Sequence, residues 1–287
     1  MTIFEKIFLS LGKKSYLKTA YDWFDKNFRV NNGKEHVLEN PDDVELLRRA
    51  LDDWKGRCFL EKALKKGNIR PVYPSELFPS LHQVSVPVAA IHQESGHPNH
   101  TDMVYVCAIA RAVGARRIFE IGTYRGQTTC AIAQVCPEAE IFTLNLPPEA
   151  DARYAPFLGW YIRHSPFQNR IRQLFCDSRL FDTGPYRKSM DFVFVDGDHS
   201  YDAVKNDTAK ALELLRPGGV VIWHDFAGKC PGVIRFLEEF SEKRPLFHIR
   251  KTCLAVLMDG IDATQKELAP MDPSLEEKEF STGAKIR

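Results

Sequence analysis

Between Thr101 and Asp259 the chain alternates short apolar runs with longer segments that carry apolar residues at helical spacing. The apolar runs have the length and composition of buried strands. Five of them are Arg117–Gly122, Glu140–Leu146, Ile171–Asp177, Asp191–Gly197 and Val220–Asp225. Segments between most of them, such as Tyr201–Leu215, are long enough for a helix. Strands that alternate with helices predict a parallel sheet with helices on both faces.

Two further strand-like runs close this region. Leu246–Lys251 and Leu254–Met258 are separated by only a few residues. Because so short a link cannot form a parallel crossover, we expect an antiparallel hairpin at the sheet edge. The pattern therefore predicts an α/β fold with a doubly wound, seven-stranded sheet: five parallel strands and a C-terminal antiparallel hairpin.

The region before this domain shows a helical pattern that then breaks down. Phe4, Ile7, Phe8 and Leu11 recur at helical spacing. A second helix is predicted to begin at Asn40-Pro41 and to end near Gly67, and residues 68–100 are irregular and rich in proline. We divide the chain into a helical N-terminal extension and Pro-rich connector (1–95), a main domain (96–260) and a mobile C-terminal tail (261–287).

The first predicted helix has two interpretations. A basic amphipathic helix can dock on a membrane surface or on a partner protein. It can equally pack on its own domain or on a sister subunit, which is what most amphipathic helices do. The second interpretation is favoured, and packing on a sister subunit would give a homo-oligomer through the N-terminal helices.

Composition and charge exclude several classes of protein. The chain has 39 basic and 38 acidic residues, a net charge of +1, which argues against a broad electrostatic contact with nucleic acid. The longest apolar run, Met103–Ala110, is far shorter than the ~20 residues of a membrane span. Glu5 and Lys6 interrupt the apolar stretch that a signal peptide needs. Seven scattered cysteines without a C-x-x-C pair are typical of reduced thiols, so a cytoplasmic protein is expected.

The first strand of the main domain leads into a turn with two glycines. Gly122 and Gly126 let the backbone turn tightly and approach a ligand closely. The spacing is not the G-x-G-x-x-G of a dinucleotide site, so a pyrophosphate cradle and a nicotinamide dehydrogenase are both disfavoured. Ligands of such sheets bind at the carboxyl ends of the strands, where this turn lies.

Four segments of the main domain carry motifs at the ends of predicted strands. They are Glu-x-Gly-x-x-x-Gly at 120–126, Gln-Leu-Phe-Cys-Asp-Ser at 173–178, Asp-Phe-Val-Phe-Val-Asp-Gly-Asp-His-Ser-Tyr at 191–201, and Leu-Leu-Arg-Pro-Gly-Gly-Val-Val-Ile-Trp-His-Asp at 214–225. Together they resemble the motifs of class I S-adenosylmethionine-dependent methyltransferases. The series is similar to the macrocin O-methyltransferase and cephalosporin-hydroxylase-like branch, and its first motif to catechol-type O-methyltransferases. The resemblance covers residues 100–258. It implies a Rossmann-like sheet, S-adenosylmethionine as cofactor, and methylation of a small-molecule hydroxyl, such as that of a sugar, a phenol or a natural product.

The resemblance also implies a set of cofactor contacts. Glu120, Gly122, Tyr124, Gly126 and Thr128 would line the amino-acid part of the cofactor, Asn145 would face the ribose, and Asp177 and Ser178 would lie beside the adenine. Asn145 stands where the family has an acid, so its hydrogen bond to a ribose hydroxyl lacks the assistance of a charge. Asp177 has a second interpretation, because aspartate often caps a loop.

Asp196 and Asp225 end adjacent predicted strands, so their carboxylates should converge and suit Mg²⁺ or another divalent cation. In the macrocin-like branch a ligand can also come from the position of His224. Imidazole favours Mn²⁺, Fe²⁺ or Zn²⁺ over Mg²⁺. Phe226 replaces the asparagine that completes the metal site of catechol-type enzymes. The alternative is structural, with Asp225 capping the following loop and His224 packing on the sheet.

Several histidines and an aromatic insert surround this centre. His199 stands where catechol-type enzymes have a lysine base, and it would either accept the hydroxyl proton or hold Asp196 in place. His92, His97 and His100 would edge the acceptor pocket, reach the metal, or belong to a solvated loop, and the last is favoured. The segment Pro147–Arg170 is rich in aromatic residues and would form either a lid over the acceptor or ordinary helix packing.

Two rival functions remain open at this stage. The same fold can transfer other groups or serve oxidative pathways. A non-catalytic domain used for cofactor binding or assembly is also possible, and the departures at Asn145 and Phe226 favour it. The glycine turn and the paired aspartates argue against it, because an assembly domain needs neither.

Overall fold

The computed structural model describes residue 56 and residues 59–86, 100–150 and 152–269. They form one eight-stranded sheet with helices on both faces. The strands are β1 (Ile69–Val72), β2 (Arg117–Ile121), β3 (Glu140–Asn145), β4 (Ile171–Phe175), β5 (Met190–Val195), β6 (Leu215–Trp223), β7 (Leu246–Ile249) and β8 (Ala255–Met258). The helices are α1 (Pro74–Leu77), α2 (His100–Ala112), α3 (Gln127–Val135), α4 (Trp160–Arg163), α5 (Tyr201–Leu214) and α6 (Pro231–Ser241). Residues 59–66 are also helical, and short 3-10 turns lie at Pro79–Gln83, Pro148–Ala150, Ala155–Phe157, Gln168–Arg170 and Gly184–Tyr186.

The strand order is β1-β7-β8-β6-β5-β2-β3-β4. All neighbouring strands are parallel except for β8, which is antiparallel to both β6 and β7. The predicted α/β class, the five parallel strands and the antiparallel hairpin are therefore confirmed. Helices between parallel strands give the crossovers that cover both faces of such a sheet.

The sheet has one strand more than the pattern predicts. β1 pairs in parallel with β7, so the hairpin does not form the edge of the sheet. β1 has only four residues, and Arg70 and Pro71 interrupt its apolar pattern. An edge strand tolerates proline, because one side of its backbone needs no ladder hydrogen bonds.

Alternation along the strands separates two apolar layers. In β2, Ile118 faces the layer that contains α2 and α3, whereas Phe119 and Ile121 face the layer that contains α5 and α6. The central strands β2, β3 and β5 are buried on both faces, as expected for a doubly wound sheet. In the described part of the chain, every helix is too short or too polar to span a membrane.

Part of the predicted organisation lies outside the described residues. This holds for the first amphipathic helix and the oligomer contact proposed through it, for most of the second helix, for His92 and His97, and for residues 270–287. Residues 261–269 are described and pack on the edge of the sheet. Arg70 donates hydrogen bonds to the carbonyl oxygens of Ala263 and Lys266, and the Ala269 amide donates to the Glu76 carbonyl.

Candidate active site

A cavity of about 1130 Å³ opens at the carboxyl ends of the central strands. The predicted site residues that line it are Glu120, Gly122, Tyr124, Thr128, Asn145, Asp177, Ser178, Asp196, His199, His224 and Asp225. Gly126 lies just outside this lining, at the start of α3. The register places Ile121 opposite Val195, and Val195 opposite Trp223, so the loops after β2, β5 and β6 begin at the same level.

The glycine turn after β2 requires its first glycine. Gly122 has a φ of 106°, and a Cβ atom there would lie 1.9 Å from the carbonyl oxygen of Asp196. Any side chain would therefore push the β2 loop away from the β5 loop. Gly126 also has a positive φ and packs on Ile162 of α4. The glycines thus bring backbone atoms close to this wall of the cavity.

Asn145 holds the strained part of this turn. Tyr124 has a φ of 44°, a conformation that costs energy for a bulky residue. The Asn145 Oδ1 atom accepts hydrogen bonds from the backbone amides of Thr123 (3.2 Å) and Tyr124 (3.1 Å). Asn145 therefore has a structural task in addition to the predicted contact with the ribose.

Glu120 is almost completely buried beneath the turn. It accepts hydrogen bonds from the hydroxyl groups of Thr129 and Thr143. Burial raises the pKa of Glu120 to about 8, although the two threonine hydrogen bonds oppose the shift. The protonated form is thus favoured in the protein alone, and a cationic group in the cavity would favour the ionised form.

The predicted adenine side of the cavity is built from two acids and their partners. Asp177 accepts hydrogen bonds from the side chain and the backbone amide of Arg179, which hold its pKa below the ordinary value. Asn206 donates a hydrogen bond to the Ser178 hydroxyl (3.1 Å). Asp207, which the sequence reasoning missed, is buried beside them, and burial raises its pKa.

His224 lies between carboxylates on both sides of its ring. Its Nε2–H donates to Asp102 (3.1 Å), and its Nδ1 atom lies 3.0 Å from Asp196 Oδ1 and 3.3 Å from Asp225 Oδ2. Burial alone lowers the pKa of His224, but the charge of Asp196 and the hydrogen bonds to the three acids outweigh it and raise the pKa strongly. Two carboxylates this close to one nitrogen require a proton or another cation between them.

His199 is a second histidine that contacts Asp225. Its Nε2 atom lies 2.8 Å from Asp225 Oδ2, and the hydrogen bond to this acid raises the pKa of His199 to about 10. The ring is therefore protonated near neutral pH, in contrast to the expectation from its ordinary pKa. Lys229 Nζ lies 3.0 Å from the other oxygen of Asp225. Burial raises the pKa of Asp225, but His199 and His224 outweigh it and hold the pKa far below its ordinary value.

Asp225 itself has a φ of 55°, a strained conformation that turns its carboxylate into the cavity. Phe226 follows it and is fully buried against the His248 ring, so this position does not line the cavity. Phe226, where the sequence departs from catechol-type enzymes, is therefore a packing residue.

Aromatic residues of the predicted insert lie at the mouth of the cavity. Tyr154 lines the cavity and packs edge-on against Tyr124, with 5.8 Å between the ring centroids. The Gly159 amide donates to the Tyr124 carbonyl (2.7 Å), which ties the insert to the glycine turn. Arg125 lies over the ring of Phe157, which is exposed.

Sequence reasoning missed three groups that contact the central cluster: Asp102 contacts His224, Lys229 contacts Asp225, and Cys230 contacts His199. Asp102 lies on α2 at the helical spacing of Val106 and Ile109, which are fully buried. That spacing places an acid on a buried helix face, and such an acid needs a partner. This spacing could have identified Asp102 as a buried acid with a partner, although it does not identify His224 as that partner.

Comparisons with known proteins give a family match and a set of similar solved structures. Residues 119–226 match a family model described as a methyltransferase domain. A comparison with curated protein sequences found no match. The chain is similar to the solved O-methyltransferase TomG of Streptomyces achromogenes, involved in tomaymycin synthesis and in complex with SAM. That comparison has 19% identity, 67% coverage of this chain, 92% of the other and a TM-score of 0.44.

Two further structures are similar at the same level. A methyltransferase of Podospora anserina bound to SAH has 14% identity, 78% coverage of this chain, 97% of the other and a TM-score of 0.46. An O-methyltransferase of Bacillus cereus in complex with SAH has 16% identity, 84% and 97% coverage and a TM-score of 0.44. The family match and the observed strand order confirm the resemblance to methyltransferases drawn from the sequence motifs: residues 119–226 match a methyltransferase domain and lie on a sheet of the predicted class.

Proposed function

We propose that the protein methylates a hydroxyl group of a small molecule, using S-adenosylmethionine and a divalent cation held by Asp196, His224 and Asp225. One observation carries this proposal. Three ligand side chains and a candidate base, His199, converge in the cavity at the end of the glycine turn. A hydroxyl nucleophile needs both polarisation and removal of its proton, and this cluster contains groups suited to each task.

The three side chains fit a cation by distance and by chemistry. His224 Nδ1 lies 3.0 and 3.3 Å from the two carboxylate oxygens. Neighbouring ligands at right angles around a cation with bonds of about 2.1 Å are separated by about 3 Å. Asp102 accepts the proton of Nε2, which leaves Nδ1 to face the cation, as in the carboxylate–histidine pairs of known metal sites. The imidazole favours Mn²⁺, Fe²⁺ or Zn²⁺ over Mg²⁺.

The cofactor would extend along the glycine turn. Its amino-acid part would lie over Gly122 and Tyr124, above the buried Glu120, with its adenine toward Asp177 and Ser178. Glu120 would ionise when the positively charged cofactor arrives, because an opposite charge counteracts the effect of burial on its pKa. The sulfonium provides the leaving group, so the protein has mainly to align the acceptor with the methyl carbon.

His199 would remove the acceptor proton. Its hydrogen bond to Asp225 now keeps the ring protonated, so this role requires Asp225 to be neutralised by another group first. The cation, when bound, would polarise the acceptor oxygen and lower the hydroxyl pKa. Tyr154 at the mouth of the cavity suits the face of a sugar or a phenolic ring, and these acceptors or a related natural product are the proposed substrate class.

The test is a transfer assay with S-adenosylmethionine carrying an isotopic label in its methyl group. Catechols, other phenols and sugars are offered as acceptors to protein freed of metal, before and after addition of Mn²⁺ or Mg²⁺. Asp196→Asn is the test variant. Asp262→Asn, which replaces an exposed acid that does not line the cavity, is the matched control. We expect the labelled methyl group to be bonded to the hydroxyl oxygen of one acceptor class. The transfer rate should fall by at least about 100-fold without the cation, and by the same factor in Asp196→Asn.

Two results would contradict parts of this proposal. Full activity after complete chelation and in Asp196→Asn would remove the cation from the mechanism. Transfer of the label to nitrogen, carbon or sulfur acceptors, with none to hydroxyl groups, would replace O-methylation by another methyl transfer.

A further inference from the structure

A second group of potential ligands shares Asp225 with the first. His199, Asp225 and Cys230 each offer one ligand atom, and these atoms all lie within 4.8 Å of one another. They come from the loop after β5, the loop after β6 and the residue before α6. His199 makes hydrogen bonds with both other side chains.

Close backbone packing produces this arrangement. Gly232, in the first turn of α6, lies against the backbone of the β5 loop. A Cβ atom there would be 2.4 Å from the carbonyl oxygen of His199. Only glycine permits this approach, which brings Cys230 beside His199. The thiol is buried, whereas the His199 side chain is about 50% exposed and opens the group to solvent.

The chemistry of the second group differs from that of the first. Thiolate, imidazole and carboxylate together favour a soft cation such as Zn²⁺, whereas Asp196, His224 and Asp225 contain no sulfur. Tetrahedral zinc with bonds of about 2.0–2.3 Å separates its ligands by about 3.3–3.8 Å, so the three side chains need only small movements to surround it. A water molecule would complete the coordination from the exposed side of His199.

We propose that His199, Asp225 and Cys230 form a thiolate-containing site for Zn²⁺, whose occupation blocks methyl transfer. The thiol releases its proton to solvent when the ion binds. The blocking follows because the ion takes both His199 and Asp225, the proposed base and a shared ligand. Binding itself does not depend on the proposed function, whereas the block of methyl transfer rests on it.

The experiment uses Co²⁺ as a spectroscopic substitute for Zn²⁺ on the full, metal-free chain. A bond between cobalt and a thiolate gives a charge-transfer band in the near ultraviolet, which oxygen and nitrogen ligands do not give. The wild type, Cys230→Ser, Cys230→Ala and Asp196→Asn are titrated with Co²⁺. Cys130→Ser, which removes a cysteine of α3 instead, is the matched control. Mn²⁺ binding is followed separately by electron paramagnetic resonance.

We expect the band in the wild type, in Cys130→Ser and in Asp196→Asn, and its loss in both Cys230 variants. Mn²⁺ affinity should change less than about twofold in Cys230→Ser, because the thiol is not a ligand of the first group. Zn²⁺ should inhibit methyl transfer in the wild type at a concentration at least about tenfold lower than in Cys230→Ser, since even indirect partners of a metal contribute about 10- to 100-fold to affinity.

Absence of the band from the wild type, or its persistence in both Cys230 variants, would overturn the site. Equal inhibition of wild type and Cys230→Ser by Zn²⁺ would overturn its link to methyl transfer. Mn²⁺ binding separates failure of the proposed function from failure of this inference. If the wild type shows the band but binds no Mn²⁺, the thiolate site stands and the cation site of Asp196, His224 and Asp225 is contradicted.

Discussion

Glu120 carries the clearest consequence of burial for a single residue. Its side chain has almost no contact with solvent, and two threonine hydroxyl groups only partly compensate the loss of hydration. Since its folded pKa of about 8 exceeds its ordinary value of 4.5, the folded state binds an additional proton between these pH values. The contribution of this proton to the free energy of unfolding is complete below pH 4.5 and is lost as the pH rises to 8.

Replacement of Glu120 by Gln should therefore change how stability depends on pH. Relative to Glu120→Gln, the wild type should lose about 5 kcal/mol at most of unfolding free energy between pH 4.5 and 8, at about 1.4 kcal/mol per pKa unit. Urea unfolding at several pH values measures the difference. Glu138→Gln, at an exposed position, is the control and should follow the wild type. A difference between wild type and Glu120→Gln that is constant with pH would show that Glu120 ionises normally.

Asn145 is the second residue whose replacement is informative. An aspartate there would accept the same two backbone amides of the turn and would add a charge for the ribose hydroxyl groups. Asn145→Asp should therefore bind S-adenosylmethionine several-fold more tightly, and Asn145→Ala, which loses both amide bonds, more weakly than the wild type. Calorimetry measures both affinities. Equal affinities in all three proteins would place the ribose away from this position.

At the scale of the elements, the site depends on how closely two loops approach. Gly122 of the β2 loop touches the Asp196 carbonyl, and Gly114, at the end of α2, has a positive φ of 63° but no atom near its missing Cβ. Replacing either glycine by Ala would force a residue with a side chain into a left-handed backbone conformation, which costs about 1–2 kcal/mol of folding free energy. Only Gly122→Ala adds a collision with backbone atoms.

Gly122→Ala should lower the free energy of unfolding by about 3 kcal/mol or more and abolish binding of S-adenosylmethionine. Gly114→Ala should cost about 1–2 kcal/mol and leave the affinity for the cofactor unchanged. Chemical denaturation and calorimetry on the two variants separate the effects. If both variants lose the same stability, the close approach of the β2 and β5 loops is not what requires glycine at 122.

The elements that the sequence predicts best are those with a strong apolar period. The strands from β2 to β6 and the final hairpin were predictable because each is a buried run bounded by helices or turns. β1 was not, since Arg70 and Pro71 break its pattern and its pairing with β7 joins residues far apart in the chain. Contacts of high sequence separation leave no local periodicity.

The same distinction applies to the site. Strand-end residues such as Asp196 and Asp225 were predictable, because the fold determines where strands end. Asp102 and Cys230 were not, since they reach the cluster from α2 and from the start of α6, through helix packing against the sheet. The raised pKa of His199 follows from its contact with Asp225, which neither residue's local sequence reveals.

For the whole molecule, the proposed cation should be a measurable source of stability. A ligand that binds only the folded state at 100 times its Kd adds about 2.7 kcal/mol to the free energy of unfolding. Mn²⁺ should therefore raise the thermal midpoint of the wild type, and a chelator should reverse the effect. Asp225→Asn should show no such shift. An equal shift in this variant would place the stabilising ion elsewhere in the chain.

The cofactor is the centre of the account, and calorimetric titration of the purified chain with S-adenosylmethionine tests it most directly. We predict saturable binding of one cofactor per chain in the wild type, and none in Gly122→Ala, whose backbone turn cannot form. A wild-type titration without any binding heat, repeated at a second temperature to exclude a vanishing enthalpy, would contradict the account.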